Sequence, residues 1–184
     1  EPIGKQDQYI AAYGGFQSIE FMPDESVRVD PVVLTDKTRA ALAERLILLY
    51  TGVTRRAGPV LKRFVARFAV KEQSLRRMRD MAYATRTSLR AGDADALGGI
   101  LHEGWDLKKH VAGGISNAAI DRAYATARRA GAAGGKILGA GGGGFLLLHA
   151  PPAKRAAVRR ALASWREIPF HFEPEGSKIV YVSR

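Results

Sequence analysis

The chain has no cysteine, which excludes a disulfide framework and thiolate chemistry. Its four histidines, His102, His110, His149 and His171, stand without zinc spacing, so no metal site built from this chain alone is expected. No apolar run approaches the roughly 20 residues of a membrane span, and no signal peptide opens the sequence, so the expected location is the cytoplasm and no membrane partner is expected. Aromatic residues make up only 8% and are scattered singly, so the interleaved rings that stack bases are missing. Acidic residues are scarce as well. Asp and Glu number 18 against 29 Lys and Arg, and the net charge of +11 favours polyanionic partners such as phosphorylated metabolites or nucleic acid. Much of that charge, as in Arg122, Arg128 and Arg129 and then Lys154, Arg155, Arg159 and Arg160, alternates with alanine along helices and reads as solvated helix face. Nucleic acid is therefore the weaker partner class.

Glycine is the residue in excess. Of 20 glycines, Gly139, Gly141, Gly142, Gly143 and Gly144 crowd one loop between two short apolar runs. Such a loop loses much conformational entropy on ordering and packs almost no side chain, so it needs either unusual φ angles or a ligand that approaches the backbone closely. Phosphate is the commonest such ligand. The Walker pattern fails, because Ala130 replaces its first glycine and Ile137 its Ser or Thr. The dinucleotide fingerprint matches literally at Gly139, Gly141 and Gly144, but it must open a helix. The residues after Gly144 run into Pro151-Pro152 and have the composition of a short buried strand, so the loop joins strand to strand.

At 184 residues and 46% hydrophobic, the chain can bury a real core. Asp7 falls in the first turn of a short helix closed by Gly14-Gly15, where its default role is a cap. Phe16–Phe21 and Val27–Leu34 read as a hairpin around Pro23-Asp24-Glu25-Ser26, and Thr35 caps a helix running to Arg45. Leu46–Tyr50 reads as a strand buried on both faces. Helical spacing recurs over Val60–Arg90, again from an Asp93 cap to Gly113-Gly114, again from a Ser116 cap to Gly131, and over Ala153–Trp165. Ile168–Phe172 and Lys178–Val182 read as a closing pair of strands. The order predicts an α+β fold, an antiparallel sheet with helices packed on one face in a split βαβ (ferredoxin-like) arrangement, with an N-terminal helix and hairpin beside it.

Several motifs carry a resemblance. Gly134-Gly135-Lys136-Ile137-Leu138-Gly139-Ala140-Gly141-Gly142-Gly143-Gly144-Phe145 resembles the third, C-terminal signature of the GHMP small-molecule kinases. Ile3–Tyr9 with Ala11–Gly15, Tyr50–Arg55, Leu101–Trp105 and Gly114–Asn117 resemble the branch that acts on heptose 7-phosphate. The resemblance implies phosphoryl transfer from ATP, with Mg²⁺, to the anomeric hydroxyl of a sugar phosphate. It assigns Asp7 to the acceptor hydroxyl as catalytic residue and Lys5, Gln8, Thr54 and Arg55 to the acceptor side. The phosphate loop is Gly139, Ala140, Gly141, Gly142, Gly143 and Gly144. For His102, Glu103 and Trp105 helix packing is an equal reading.

In this family the main ATP loop and the Mg²⁺ ligands lie ahead of the aspartate segment. The sequence begins without Met inside that segment, and reads as the C-terminal part of a sugar kinase that lacks activity on its own. Residues 1–34 would then be a remnant of the catalytic domain and 35–184 the family's C-terminal domain. ATP and Mg²⁺ would be bound mainly by the other part, and a homodimer remains open. The alternatives are a kinase for another sugar, of galactose or fucose type, and a non-catalytic basic module that binds RNA or a protein.

Overall fold

An apolar run without polar alternation leaves no face for water, and Leu46–Tyr50 becomes an inner strand of the main sheet. The computed structural model describes residues 4–54, 71–111 and 113–181. In chain order they form α1 (Gln6–Tyr13), β1 (Gln17–Phe21), β2 (Val27–Pro31), α2 (Asp36–Arg45), β3 (Leu46–Tyr50) and α3 (Glu72–Arg90). There follow α4 (Ala96–Val111), α5 (Ala118–Arg129), β4 (Gly134–Ile137), β5 (Phe145–His149), α6 (Pro152–Ala161) and β6 (Arg166–Glu167). The main sheet has the order β4-β5-β3-β6 with every pairing antiparallel. Leu46 pairs with His149 and Tyr50 with Phe145, while Gly134 pairs with His149 from the other side. Strands β3 and β4 therefore run parallel with β5 between them, the split βαβ arrangement. This is the expected α+β fold.

The core lies between this sheet and its helices. Ile47, Leu49, Ile137, Leu146 and Leu148 from the strands meet Trp105, Ile120, Ala123, Tyr124, Ala127 and Val158 from α4, α5 and α6. A smaller cluster, Val32, Leu42, Leu89 and Ala94 with Phe16, Leu34 and Phe172 against it, joins the β1–β2 hairpin to α2, α3 and the C-terminal segment.

Local chemistry accounts for most boundaries. Thr35 Oγ1 accepts from the Thr38 amide at 3.1 Å, and Asp93 Oδ1 accepts from the Asp95 and Ala96 amides at the start of α4. Asp24 accepts from the Ser26 amide in the hairpin turn. The third cap differs from expectation. Asn117, not Ser116, caps α5 by accepting from the Ala119 and Ile120 amides, while Ser116 Oγ donates to Asp121 at 2.7 Å. Both residues are good caps, and the chain enters the helix one position later than the Ser116 reading assumes.

The closing strand pair is the larger correction. Only Arg166–Glu167 pairs with β3, extended by one bond from the Ile168 amide to Leu48 O at 2.8 Å. Pro169 then removes a donor and ends the ladder. Ile168–Phe172 and Lys178–Tyr181 have no regular structure, and Val182 lies outside the described residues. Helix α6 ends at Ala161 rather than Trp165, with Leu162 and Trp165 still packed on the core. The helical pattern over Val60–Val70 also lies outside the described residues.

Helix α4 sits directly on the backbone of β4. A Cβ on Gly98 would stand 2.5 Å from Ala133 Cβ and 2.8 Å from His149 Nδ1, and one on Gly134 would overlap the Gly98 carbonyl oxygen. Gly99, next along α4, has open space around it. Gly134→Ala should therefore lower stability by about 1–3 kcal/mol through overpacking, while Gly99→Ala raises it by up to about 1 kcal/mol through helix propensity. Urea midpoints of the two variants measure both.

Candidate functional site

The glycine-rich loop closes the β4–β5 hairpin, strand to strand as expected, with Leu138 N donating to Phe145 O at 2.9 Å. It is held from two sides. Gly142 N donates to Ile115 O at 2.6 Å, from the turn that leads into α5. Gly144 N donates to Val53 O at 2.8 Å, and Thr51 N and Oγ1 both donate to Gly144 O at 3.0 Å, so the exit of β3 runs along the loop. Gly141 adopts φ 101°, a region L side chains avoid, and a Cβ there would also stand 2.9 Å from Ile115. At Gly143 a Cβ would meet Val53 O at 2.7 Å. Two of the loop glycines are thus required by the protein's own packing.

The loop amides divide accordingly. Those of Gly142 and Gly144 are committed to carbonyl oxygens, whereas among the described residues those of Gly139, Ala140, Gly141 and Gly143 donate to nothing. A run of unpaired amides on a constrained backbone is a fit for an anion such as a phosphate group. No three-residue cluster of His, Asp or Glu able to hold a metal is present among the described residues.

Two lysines stand beside this loop. Lys108, near the C-terminal end of α4, donates from Nζ to Gly139 O at 2.7 Å. Burial pushes its pKa down to about 8; repulsion from Lys136 adds to this, and attraction from Asp7 opposes it. Lys136, half-buried on β4 opposite Leu147, is also held below the ordinary lysine value by burial. Asp7, in the first turn of α1, exerts the weakest of these three influences on Lys108, and no ion pair joins the two among the described residues. It accepts no hydrogen bond among the described residues, so it does not act as a cap; Lys5 occupies the cap position without a side-chain bond. Helix α1 itself buries no residue and rests on the hairpin through Tyr9, whose ring meets Phe21 edge-on at 5.8 Å.

The other sequence candidates fall less centrally. Lys5 is exposed, with its carbonyl accepting from Tyr9 N. Gln8 turns its amide nitrogen back to the Gly4 and Lys5 carbonyls at 2.8 and 3.0 Å, the orientation its surroundings require. Thr54 is exposed just beyond the Thr51–Val53 segment that lines the loop, and Arg55 lies outside the described residues. His102, Glu103 and Trp105 pack: His102 Nδ1 bonds Tyr124 Oη at 2.8 Å, Glu103 forms a two-pronged pair with Arg77, and Trp105 is 1% exposed. Burial pushes the Tyr124 phenol up to about 12.

Lys108 is the residue a motif reading passes over. Its signal is helical position: Leu97, Leu101, Trp105 and Lys108 fall on one stripe at 3–4 residue spacing, and a lysine on a core-facing stripe must have a local reason. The site is an open wall. Two concavities, about 860 Å³ between the hairpin and α3 and about 510 Å³ beneath Ile168–Phe172, are not lined by the loop.

Residues 85–167, which include the β4–β5 hairpin and its loop, match the family model described as GHMP kinases C terminal. The chain is similar to these kinases along that stretch. It is 32% identical over 180 residues to D-glycero-alpha-D-manno-heptose 7-phosphate kinase of Campylobacter jejuni subsp. jejuni serotype O:2, covering 95% of this chain and 53% of that protein. It is 30% identical over 163 residues to the bifunctional fucokinase/GDP-fucose pyrophosphorylase of Arabidopsis thaliana, covering 85% and 15%. The crystal structure of a D-glycero-D-manno-heptose 1-phosphate kinase from Bacteroides thetaiotaomicron matches with a TM-score of 0.70 at 28% identity, covering 97% of this chain and 50% of that one. The chain spans about half the length of the heptose phosphate kinases it matches.

The depressed Lys108 sets a pH window. Its pKa is about 8 in the fold against 10.5 for an ordinary lysine, so between these values the unfolded chain binds more protons and stability rises with pH. Below pH 8 both states are protonated and the contribution is flat. Lys108→Met should remove this rise while leaving other titrations in place, as read from the difference in urea midpoints between wild type and variant across pH 7 to 10.5.

Proposed function

We propose that this chain is part of an ATP-dependent sugar kinase and forms the acceptor side and one phosphate-facing wall of its active site. The preferred acceptor is a heptose 7-phosphate, phosphorylated at its anomeric hydroxyl. The observation that carries the reading is the convergence of Asp7, Lys108 and the glycine loop, linked by the Lys108–Gly139 bond and the Asp7–Lys108 attraction. The two heptose phosphate kinases among the relatives favour this acceptor over fucose or galactose.

In phosphoryl transfer the acceptor oxygen bonds to the terminal phosphorus of ATP as the bond to ADP breaks, and the hydroxyl proton is released. The protein's contribution is mainly position and charge. Asp7 accepts a hydrogen bond from the acceptor hydroxyl, which orients the nucleophile whether or not the proton transfers in the same step. The unpaired amides from Gly139 to Gly143 face phosphate oxygens, and the lysines offset charge that builds on them. ATP is the phosphoryl donor in this reading, and Mg²⁺, for which the described residues supply no cluster of ligands, would offset charge on its phosphates. Lys5, Gln8, Thr54 and Arg55 belong to the acceptor side in this reading, and residues 1–34 to the preceding catalytic domain. The working location is the cytoplasm, where ATP and sugar phosphates occur; among the described residues no helix is long and apolar enough to cross a membrane.

Coupled assay of ADP release with heptose 7-phosphate, fucose and galactose tests the reading. The polypeptide of Glu1–Arg184 alone should give no turnover. A polypeptide extended to the relatives' length should phosphorylate the heptose phosphate in preference to the free sugars, and Asp7→Asn in it should lower kcat by about 10² or more. Unchanged turnover in that variant removes Asp7 from the mechanism, and preference for a free sugar replaces the acceptor.

A further inference from the structure

The concavity of about 510 Å³ beneath Ile168–Phe172 lies apart from the glycine loop and is lined by β3, α2, α6 and the chain that follows β6. Three arginines line it, and two of them are balanced by acids that line it as well. Arg39 pairs with Asp36 at 2.6 Å, and Arg159 pairs with Glu167 at 2.6 Å. Arg155 of α6 has no carboxylate partner among the described residues. Its Nη1 donates to the Ala43 and Glu44 carbonyls in the last turn of α2, where a cation is favoured by the helix dipole. Those bonds account for where the guanidinium sits, but they use one of its three nitrogens. Nε is buried without a hydrogen-bond partner, and Nη2 donates to nothing among the described residues. Burial holds the group below the ordinary arginine value; repulsion from Arg159 adds to this, and Glu167 and Glu44 oppose it. The Nε–Nη2 edge of Arg155 is therefore a charged donor pair that lacks an acceptor.

We propose that this cavity is a binding site for a small monocarboxylate with an apolar body, its carboxylate seated on the Nε–Nη2 edge of Arg155. Charge complementarity selects the head group. One guanidinium is left without an acid, so one negative charge balances it, and the parallel N–H groups of that edge match the two oxygens of a carboxylate. The lining selects the body. Leu46, Leu48, Ile168 and Phe170 offer aliphatic and aromatic surface, and Phe170 stands edge-on to Phe172 at 5.8 Å. The volume is that of a small-molecule pocket. Ala40 and Ala43, exposed on α2, add little bulk to its rim, and His171 is exposed there too. Neither Asp7 nor Lys108 lines this cavity, so the proposal stands without the kinase reading. The two regions are nonetheless joined by chain: Ile168–Phe172 continues to Glu173, whose carbonyl accepts from Gly15 N just after α1. An occupant would bear on the segment that holds that helix.

The test is an NMR titration of the Glu1–Arg184 chain with phenylbutyrate as the probe. The Arg155 Nε–H resonance and the amides of Leu48 and Phe170 should shift and saturate with a Kd of about 1 mM or below. Phenylbutyramide keeps the ring and loses the charge, and acetate keeps the charge and loses the ring; each should bind about tenfold more weakly or worse. Both comparisons use the unmodified chain, so neither depends on a variant that folds. Arg155→Gln should weaken phenylbutyrate by about tenfold or more. Ala43→Trp, on the exposed side of α2, should fill the cavity and abolish the shifts while the core amides stay in place. Absence of a saturable shift at Arg155 overturns the proposal. Equal binding of the amide also overturns it, because the cleft then has no charge requirement. Tighter binding of inorganic phosphate than of phenylbutyrate does the same, by making Arg155 part of a phosphate site. None of these results bears on the sugar kinase assay.

Discussion

Helix α4 approaches strand β4 so closely that a methyl group on Gly134 would overlap the carbonyl oxygen of Gly98, and this contact sets the geometry of the site. The helix and strand then run side by side over matched distances. From Gly98 to Lys108 the helix advances about 15 Å, and from Gly134 to Gly139 an extended chain covers about 16 Å. Lys108 therefore arrives where β4 gives way to the glycine loop and can bond Gly139 O. A larger residue at either glycine would lift the helix and move its far end off the loop. Gly98 and Gly134 thus act through distance: they hold a lysine at the loop's entrance.

The loop faces a separate constraint. Ordering the residues from Leu138 to Gly144 costs on the order of 1 kcal/mol or more of backbone entropy for each, and the side chains available to offset it are few. The chain offsets it with hydrogen bonds from both flanks, Ile115 on the α5 side and Val53 with Thr51 on the β3 side. Those ties come from segments flanking different core elements, so the loop's shape follows from the packing of the sheet and its helices. They also consume the amides of Gly142 and Gly144, whereas those of Gly139, Ala140, Gly141 and Gly143 have no acceptor among the described residues. The ties thus fall in the later part of the loop, and Lys108 stands at its start.

The fold was legible where one physical rule dominated. The Leu46–Tyr50 run, the Thr35 and Asp93 caps and the glycine-terminated helices follow from burial and capping alone, and the structure has them where the sequence places them. Where two rules competed, the reading failed: Ser116 and Asn117 are both adequate caps, and the β-rich composition of Ile168–Phe172 is overruled by Pro169. The glycine loop was legible as a strand-to-strand connection with close backbone approaches, because so dense a run of glycine is costly to order unless something must approach its backbone closely. Lys108 was less visible, since its meaning comes from the face of α4 it occupies and from Lys136 and Asp7, which stand 28 positions after it and 101 before it. Charge convergence across such separations has no signature in local spacing.

Asp7 shows the same dependence on distant parts of the chain. Helix α1 buries none of its residues, so hydrophobic packing does little to fix it. Its C-terminal end is instead gripped by the C-terminal segment: Gly15 N donates to Glu173 O at 2.8 Å, and Ser177 N donates to Ala11 O at 3.0 Å. Gly14 and Gly176 face one another with no room for a Cβ on either, and Phe16 stacks on Phe172 at 4.9 Å. These backbone contacts come from residues 173–177, between the two runs that read as strands. The failure of Ile168–Phe172 to continue as a strand is therefore tied to the site: released from the sheet edge, the chain can cross to α1 and hold the end of the helix that carries Asp7. Asp7 and Lys108 sit on helices positioned by two independent close approaches of glycine backbone, one at α1 and one at α4. At α1, where apolar burial is slight, this steric contact resists small displacements, while α4 is also fixed by Trp105 in the core.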